Sequence, residues 1–192
     1  MAKELTSCSW PNGKAEDILY HDNEWGSPLH DDDKLFEFII LEGFQAGLSW
    51  STILKKRQNF REAFDHFDAR KIVLYDQSKI DSLMQNAGII RNRLKILATI
   101  NNAKIFLQLQ KEFGTFDKYI WQFTRGESIQ NNWQIMDDIP AFTKVSDTMS
   151  KDMKKRGFKF VGTTICYAFM QATGMVNDHI ASCFRYNEVQ NI

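Results

Sequence analysis

The chain has 192 residues with 24 basic and 24 acidic side chains, so its formal net charge is zero. That length allows one domain or two small lobes sharing an interface, and the charge balance excludes recognition of nucleic acid by global attraction, leaving only a local patch. No apolar stretch approaches the roughly 20 residues that span a bilayer, the start MAKELTSCSW lacks the apolar core of a signal peptide, and three cysteines, which cannot all pair within the chain, fit a reducing cytoplasm.

Fifteen Phe and five Trp are enough for a packed core with rings to spare for a pocket. Almost everything reads as helix, because prolines occur only at 11, 28 and 140 and strand-like alternation is scarce. Asp31–Asp33 offer capping oxygens, and KLFEFIILEG follows as a helix stopped by Gly43. This helix is apolar nearly all round, which predicts a central, buried element. A second helix is expected over about 47–64, short ones around 68–75 and 78–86, a long one over 91–112 and another over 115–124. The stretch 126–142 has the weakest periodicity and reads as a connector. Helices resume at about 144–156, 162–173 and 177–184. There is no internal repeat.

Two helices meet at Ala87-Gly88-Ile89-Ile90, where Gly88 can take a positive φ. Such a hairpin presents backbone N–H groups at the start of its second helix, a place that suits a phosphate. Arg91, Arg93 and Lys95 sit there against the helix dipole, and a bound phosphate would offset that cost. An ordinary helical hairpin with a solvated basic end remains the plainer reading. The run Lys154–Lys159 closes a helix at Gly157, where positive charge needs no functional reason.

Glu42 is the odd residue of the central helix. A carboxylate in the last turn faces the negative end of the dipole, and a buried unpaired one is expensive. Either the helix end frays to water or a donor or ligand compensates it. Tyr20, Trp25 and Trp50 are close by in sequence or pattern. Aromatic faces beside a carboxylate would trap a flat cationic ring, although a tryptophan cluster is also ordinary core.

Cys8, His21, His179 and Cys183 make up a Cys2His2 set of the kind tetrahedral zinc favours. His179 and Cys183 are four apart, so on a helix they would share one face. The interval from Cys8 to His21 is not a zinc-finger spacing, and each of the four also reads as a buried thiol or a satisfied core histidine. Cys166 reads as an inert core thiol.

The segments YHDNEWG (20–26), LEGFQAGLSW (41–50), AGIIRNRLKI (87–96) and KKRGFKFVGTTICYAFMQATGMVNDH (154–179) resemble bacterial 3-methyladenine DNA glycosylase I, a family of the helix-hairpin-helix DNA glycosylase superfamily. The resemblance extends from about Cys8 to Cys183. It implies an all-α fold with a helical lobe over 34–136, carrying the hairpin at 87–92. A second lobe would be made from 1–33 and 137–192, its ends tied by one structural Zn²⁺ on Cys8, His21, His179 and Cys183. It further implies a monofunctional glycosylase that flips 3-methyladenine out of alkylated double-stranded DNA and hydrolyses its N-glycosidic bond. Glu42 would bind the methylated adenine as the residue assigned to catalysis, with Tyr20 and Trp50 stacking and Trp25 lining the pocket. Leu48 would be the wedge into the DNA stack, and Gly88, Ile90, Arg91 and Arg93 would hold backbone phosphates. A monomer with no obligate protein partner is expected.

Two departures stand out. Phe44 occupies a position where the family has a polar Gln, which puts any hydrogen bond from there in doubt. The wider superfamily has a catalytic Asp just after the hairpin, but none follows Arg91 in NRLKILATINNAKIF, and Asp117 comes too late. No hairpin Lys nucleophile is evident, which argues against a lyase. Rival readings are a nonenzymatic zinc-stapled nucleic-acid-binding module, which needs no Glu42 among aromatics, and a metallohydrolase, which needs an open coordination position.

Overall fold

The computed structural model describes residues 6–192; residues 1–5 of the expected N-terminal segment lie outside them. In chain order the helices are α1 (Ala15–Asn23), α2 (Asp32–Gln45), α3 (Trp50–Ala63), α4 (Ala69–Ile72), α5 (Gln77–Gln85), α6 (Arg93–Phe113), α7 (Phe116–Trp121), α8 (Lys144–Lys155), α9 (Thr163–Ala172) and α10 (Phe184–Glu188). Two-residue strands β1 (Ile129–Gln130) and β2 (Val176–Asn177) pair in parallel. Among the described residues no helix is long and apolar enough to cross a membrane.

Helix α2 is the central one. Asp31 caps it, its side chain accepting from the Lys34 amide at 2.9 Å, and Asp32 and Asp33 sit favourably in its first turn. Every residue from Leu35 to Phe44 is buried. The helix packs against α3, α6 and α7 on one side and α9 on the other, so both expected lobes share one hydrophobic cluster. Phe36 meets Phe106 at 4.6 Å between centroids, and truncating such a ring to alanine costs about 3–5 kcal/mol.

Several sequence expectations are corrected. Gly43 does not end α2, which runs on to Gln45. A Cβ there would meet the Phe160 Cβ at 3.4 Å, an ordinary contact, so neither turn geometry nor crowding singles the glycine out. The chain turns instead at Gly47, with φ +83°, and α3 starts only at Trp50, capped by Ser49. Gly88 does not take a positive φ. A Cβ there would stand 2.9 Å from Asn86 Oδ1 and 3.2 Å from Asn59 Cβ, so close packing favours the glycine. Helix α6 is capped by Asn92, which leaves Arg91 just outside it. The helix expected over 177–184 is absent: β2 and an irregular turn fill that stretch, and Cys183 is the residue before α10. The connector contributes β1, so it is stitched to the C-terminal segment rather than free.

Candidate active site and metal-ligand cluster

A pocket of about 330 Å³ opens where α1, the end of α2, the start of α3, the connector and α9 converge. Trp10, Tyr20, Trp25, Glu42 and Trp50 line it, together with Gln45, Met136, Ile139, Ala168 and Gln171. The sequence therefore singled out four of its lining residues and the structure brings them together. Tyr20 and Trp50 face each other at 5.5 Å between centroids, tilted by 49°. Trp10 packs edge-on against Tyr20 at 6.2 Å and Trp25 at 5.4 Å.

Glu42 is 3% exposed and does not fray to water. Burial pushes its carboxyl up to about 8. Six buried side-chain polar atoms lack a partner among the described residues, and four belong to this pocket: Trp10 Nε1, Tyr20 O–H, Glu42 Oε2 and Trp50 Nε1. Burial, and then the Glu42 charge, raises the Tyr20 hydroxyl, so it stays a protonated donor. Buried polar atoms are rarely left unpaired, because each costs about 1–3 kcal/mol. Four around one cavity mark a place built for a polar, flat guest.

Leu48 lies on the loop between α2 and α3, 40% exposed. That loop is held by Lys95 from the first turn of α6, whose Nζ donates to the carbonyls of Phe44 and Ala46 at 2.8 Å each. These are orphan carbonyls at the negative end of α2, so a buried ammonium suits them. With two of its three hydrogens given to these carbonyls and its side chain outside the pocket lining, Lys95 is not placed as a nucleophile. Phe44 turns away from the pocket into the core, against Phe60 and Phe64. Its apolarity therefore leaves the pocket untouched, and Gln45 supplies the amide there.

The hairpin between α5 and α6 is braced from behind. Lys56 donates to the carbonyls of Ala87 and Gly88 at 3.0 and 3.3 Å, and Gly88 N–H donates to Asn86 Oδ1. Arg91 is exposed, Ile90 is half-buried against the core, and Arg93 pairs with Asp81 at 3.2 Å. In the second basic run, Arg156 is engaged with Glu112 and Asp152, each at 2.9 Å, and stacks near Phe113 and Tyr119. Asp117 bonds His30 at 2.7 Å, at the start of α7, and does not line the pocket. Glu42 is the single carboxylate among the described residues that line it.

Behind Trp25 lies the cluster of Cys8, His21, His179 and Cys183, all buried, their ligand atoms within 4.8 Å of one another. The Cys183 sulfur is 3.6 Å from His21 Nε2 and 3.6 Å from His179 Nδ1, and the Cys8 sulfur is 3.7 Å from His179 Nδ1. Those separations suit a cation with bonds of about 2.0–2.3 Å at the centre of a tetrahedron. The far nitrogens are committed elsewhere. His21 Nδ1 bonds Asp22 at 2.6 Å, and His179 Nε2 bonds the Trp25 carbonyl at 3.0 Å. Each imidazole thus turns a lone pair inward, its tautomer set by the outer partner. The Cys183 thiol is pushed far down, first by the Cys8 hydrogen bond, against burial, and further by His179 and His21. Burial works to lower His21, but its bonds to Cys183 and Asp22 win and raise it. Gly26, at φ +77°, is required here, since a Cβ would fall 2.8 Å from His179 Nε2.

A family model described as methyladenine glycosylase matches residues 10–186. The chain belongs to the methyladenine glycosylase family. DNA-3-methyladenine glycosylase 1 of Escherichia coli (strain K12) is 49% identical over 182 residues, spanning 95% of this chain and 97% of that protein. The Haemophilus influenzae DNA-3-methyladenine glycosylase is 48% identical over 93% of this chain and 96% of its own length. A crystal structure of 3-methyladenine DNA glycosylase I superimposes with a TM-score of 0.91 at 50% identity, covering 93% of this chain and 98% of that one. The Staphylococcus aureus enzyme, whose structure concerns 3-methyladenine recognition, gives 0.90 at 32% identity, covering 95% of this chain and 97% of that one.

Trp10, Gln45, Met136, Ile139, Ala168 and Gln171 were missed as lining residues in this family site. Trp10 had a signal, two residues after Cys8 of the Cys/His cluster. Met136 and Ile139 had none, because an irregular connector reveals its facing only once folded.

Proposed function

We propose that the protein is a monofunctional DNA glycosylase that flips 3-methyladenine out of alkylated duplex DNA and hydrolyses its N-glycosidic bond, releasing the base and leaving an abasic site. The observation that carries this is Glu42, buried with an unpartnered oxygen in an aromatic pocket large enough for a purine base.

Methylation at N3 makes the adenine cationic in DNA, so it departs as a neutral base and needs little acid catalysis. The protein must find, extrude and hold it. Extrusion costs a few kcal/mol, least for a damaged pair. Leu48, exposed on a loop anchored by Lys95, is suited to fill the gap left in the stack. Arg91 and the amides at the start of α6 are suited to a backbone phosphate in the helix-hairpin-helix manner. Tyr20 and Trp50, already in contact with each other, would together offer the flipped ring a surface to stack on, and Glu42 would pair with its positive charge and its hydrogens. Water is the nucleophile at C1′, and Glu42 acts by recognition and charge pairing.

Cys8, His21, His179 and Cys183 would hold one structural Zn²⁺. Four protein ligands leave no open position, so the ion would supply no Lewis-acid chemistry. It would tie the N-terminal segment to the C-terminal one and, through the His179 bond to Trp25, buttress the pocket wall. A cytoplasmic monomer fits this picture, with all three cysteines buried and free.

The test is incubation with methylated duplex DNA and identification of the purines released. Free 3-methyladenine from the wild type supports the reading; binding without release points to a nonenzymatic module instead.

A further inference from the structure

Asp178 is fully buried in the segment just after β2. Its carboxylate accepts four hydrogen bonds, from Asn131 Nδ2 at 2.7 Å and Trp133 Nε1 at 2.8 Å on one oxygen, and from the Tyr167 hydroxyl at 2.7 Å and Gln171 Nε2 at 2.8 Å on the other. An ionised carboxylate is acceptor-only, with about four lone-pair sites, so this one is saturated.

The consequence falls on Gln171, which lines the pocket from α9. Its amide has a donor end and an acceptor end, and only the donor end can face Asp178. The orientation is therefore fixed by chemistry. The committed nitrogen leaves Oε1 as the free end of the side chain, with no hydrogen-bond partner among the described residues. Tyr20, Trp10 and Trp50 bring O–H and N–H donors to the same cavity, so Gln171 adds an acceptor that cannot change sign.

A purine differs most sharply at position 6, where adenine carries an amine that donates and guanine an oxygen that accepts. We propose that Gln171 is a specificity-determining residue whose Oε1 accepts from the exocyclic amine of the flipped base. Asp178 is the positioning residue that stops the amide from turning to greet a 6-oxo purine. The proposal rests on the pocket being the methylated-base site.

The experiment measures binding of free 3-methyladenine and of 3-methylhypoxanthine, which carries oxygen in place of the amine, by quenching of the pocket indoles. Wild type and Gln171→Met are compared, the methionine keeping length but lacking the carbonyl. Wild type favours the amino base by about tenfold, the worth of one hydrogen bond plus the avoided clash of two acceptors. Gln171→Met weakens 3-methyladenine binding and, with the opposed acceptor gone, tightens binding of the oxo base, so the gap closes. Asp178→Asn, whose amide can both donate and accept, frees Gln171 to turn and narrows the gap. Equal losses for both bases, or an unchanged gap in folded Gln171→Met, overturns the proposal. Should neither variant fold, a wild type that binds the two bases equally overturns it, as does a preference that vanishes in Glu42→Gln, whereas a preference that survives in Glu42→Gln supports it. A wild type that binds neither base removes the base-site reading itself.

Discussion

Two buried polar clusters share Trp25, and they are built on opposite terms. Around Cys183 every imidazole has one nitrogen tied to an outer partner and the other turned toward sulfur. Around Glu42 four buried polar atoms of residues that line a cavity bond nothing among the described residues. The first arrangement is closed and suits a permanent ion; the second is open and suits a visitor. Satisfied buried polarity specifies structure, whereas unsatisfied polarity beside a void is kept because something arrives to satisfy it.

The contrast can be broken by substitution on either side. Glu42→Gln removes the charge partner of the cationic purine, and excision falls by about a hundredfold in single-turnover assays, the scale of losing one partner of a buried charged pair. Its thermal midpoint stays near that of the wild type, because an amide replaces a carboxyl that is already neutral below about 8. Cys183→Ser does the reverse: metal content by atomic absorption drops to none and the melting midpoint falls by roughly 10 °C, about 3 kcal/mol for a chain of this size. Unchanged stability in a metal-free variant would remove the structural ion.

Titration sharpens the comparison further. The folded Glu42 value of about 8 lies above the ordinary 4.5, so the folded protein retains a proton that the unfolded chain has released between those values. Stability from this group is complete below about 4.5 and is lost as pH rises through about 8. The charged form that pairs with the lesion appears over the same upper range. Accordingly kcat/KM climbs by up to tenfold per pH unit toward about 8 and then levels, and Glu42→Gln abolishes that limb. A flat wild-type profile across pH 6–8 would contradict this.

The smallest effect belongs to the hairpin. Arg91→Ala weakens binding to all duplex sequences alike by a few-fold and reduces the salt slope by about one. Altered lesion preference at normal affinity would show that Arg91 reads the base instead.

Much of this was readable in the residues, in proportion to how local the physics is. Asp31 before an apolar run announced α2 because capping and burial are short-range. Glu42 stood out because a carboxylate ending that run needs an explanation. Gly43 and Gly88 misled, since both looked like conformational breaks, but Gly43 lies inside α2 and Gly88 packs tightly against Asn59, a neighbour distant in sequence. His179 and Cys183 have helical spacing but lie on an irregular turn, where pairing of β1 with β2 and the pull of the Cys/His cluster override local propensity. The connector's share of the pocket was invisible for the same reason: Asp178 pins it through Asn131 and Trp133, across more than forty residues of chain.

A crystal structure of the protein soaked with free 3-methyladenine tests the central claim most directly. The ring should stack against Tyr20 and Trp50, with a Glu42 carboxyl oxygen within hydrogen-bond distance of its edge. A base bound elsewhere, or seated in the pocket with Glu42 turned away and still unpartnered, would contradict it.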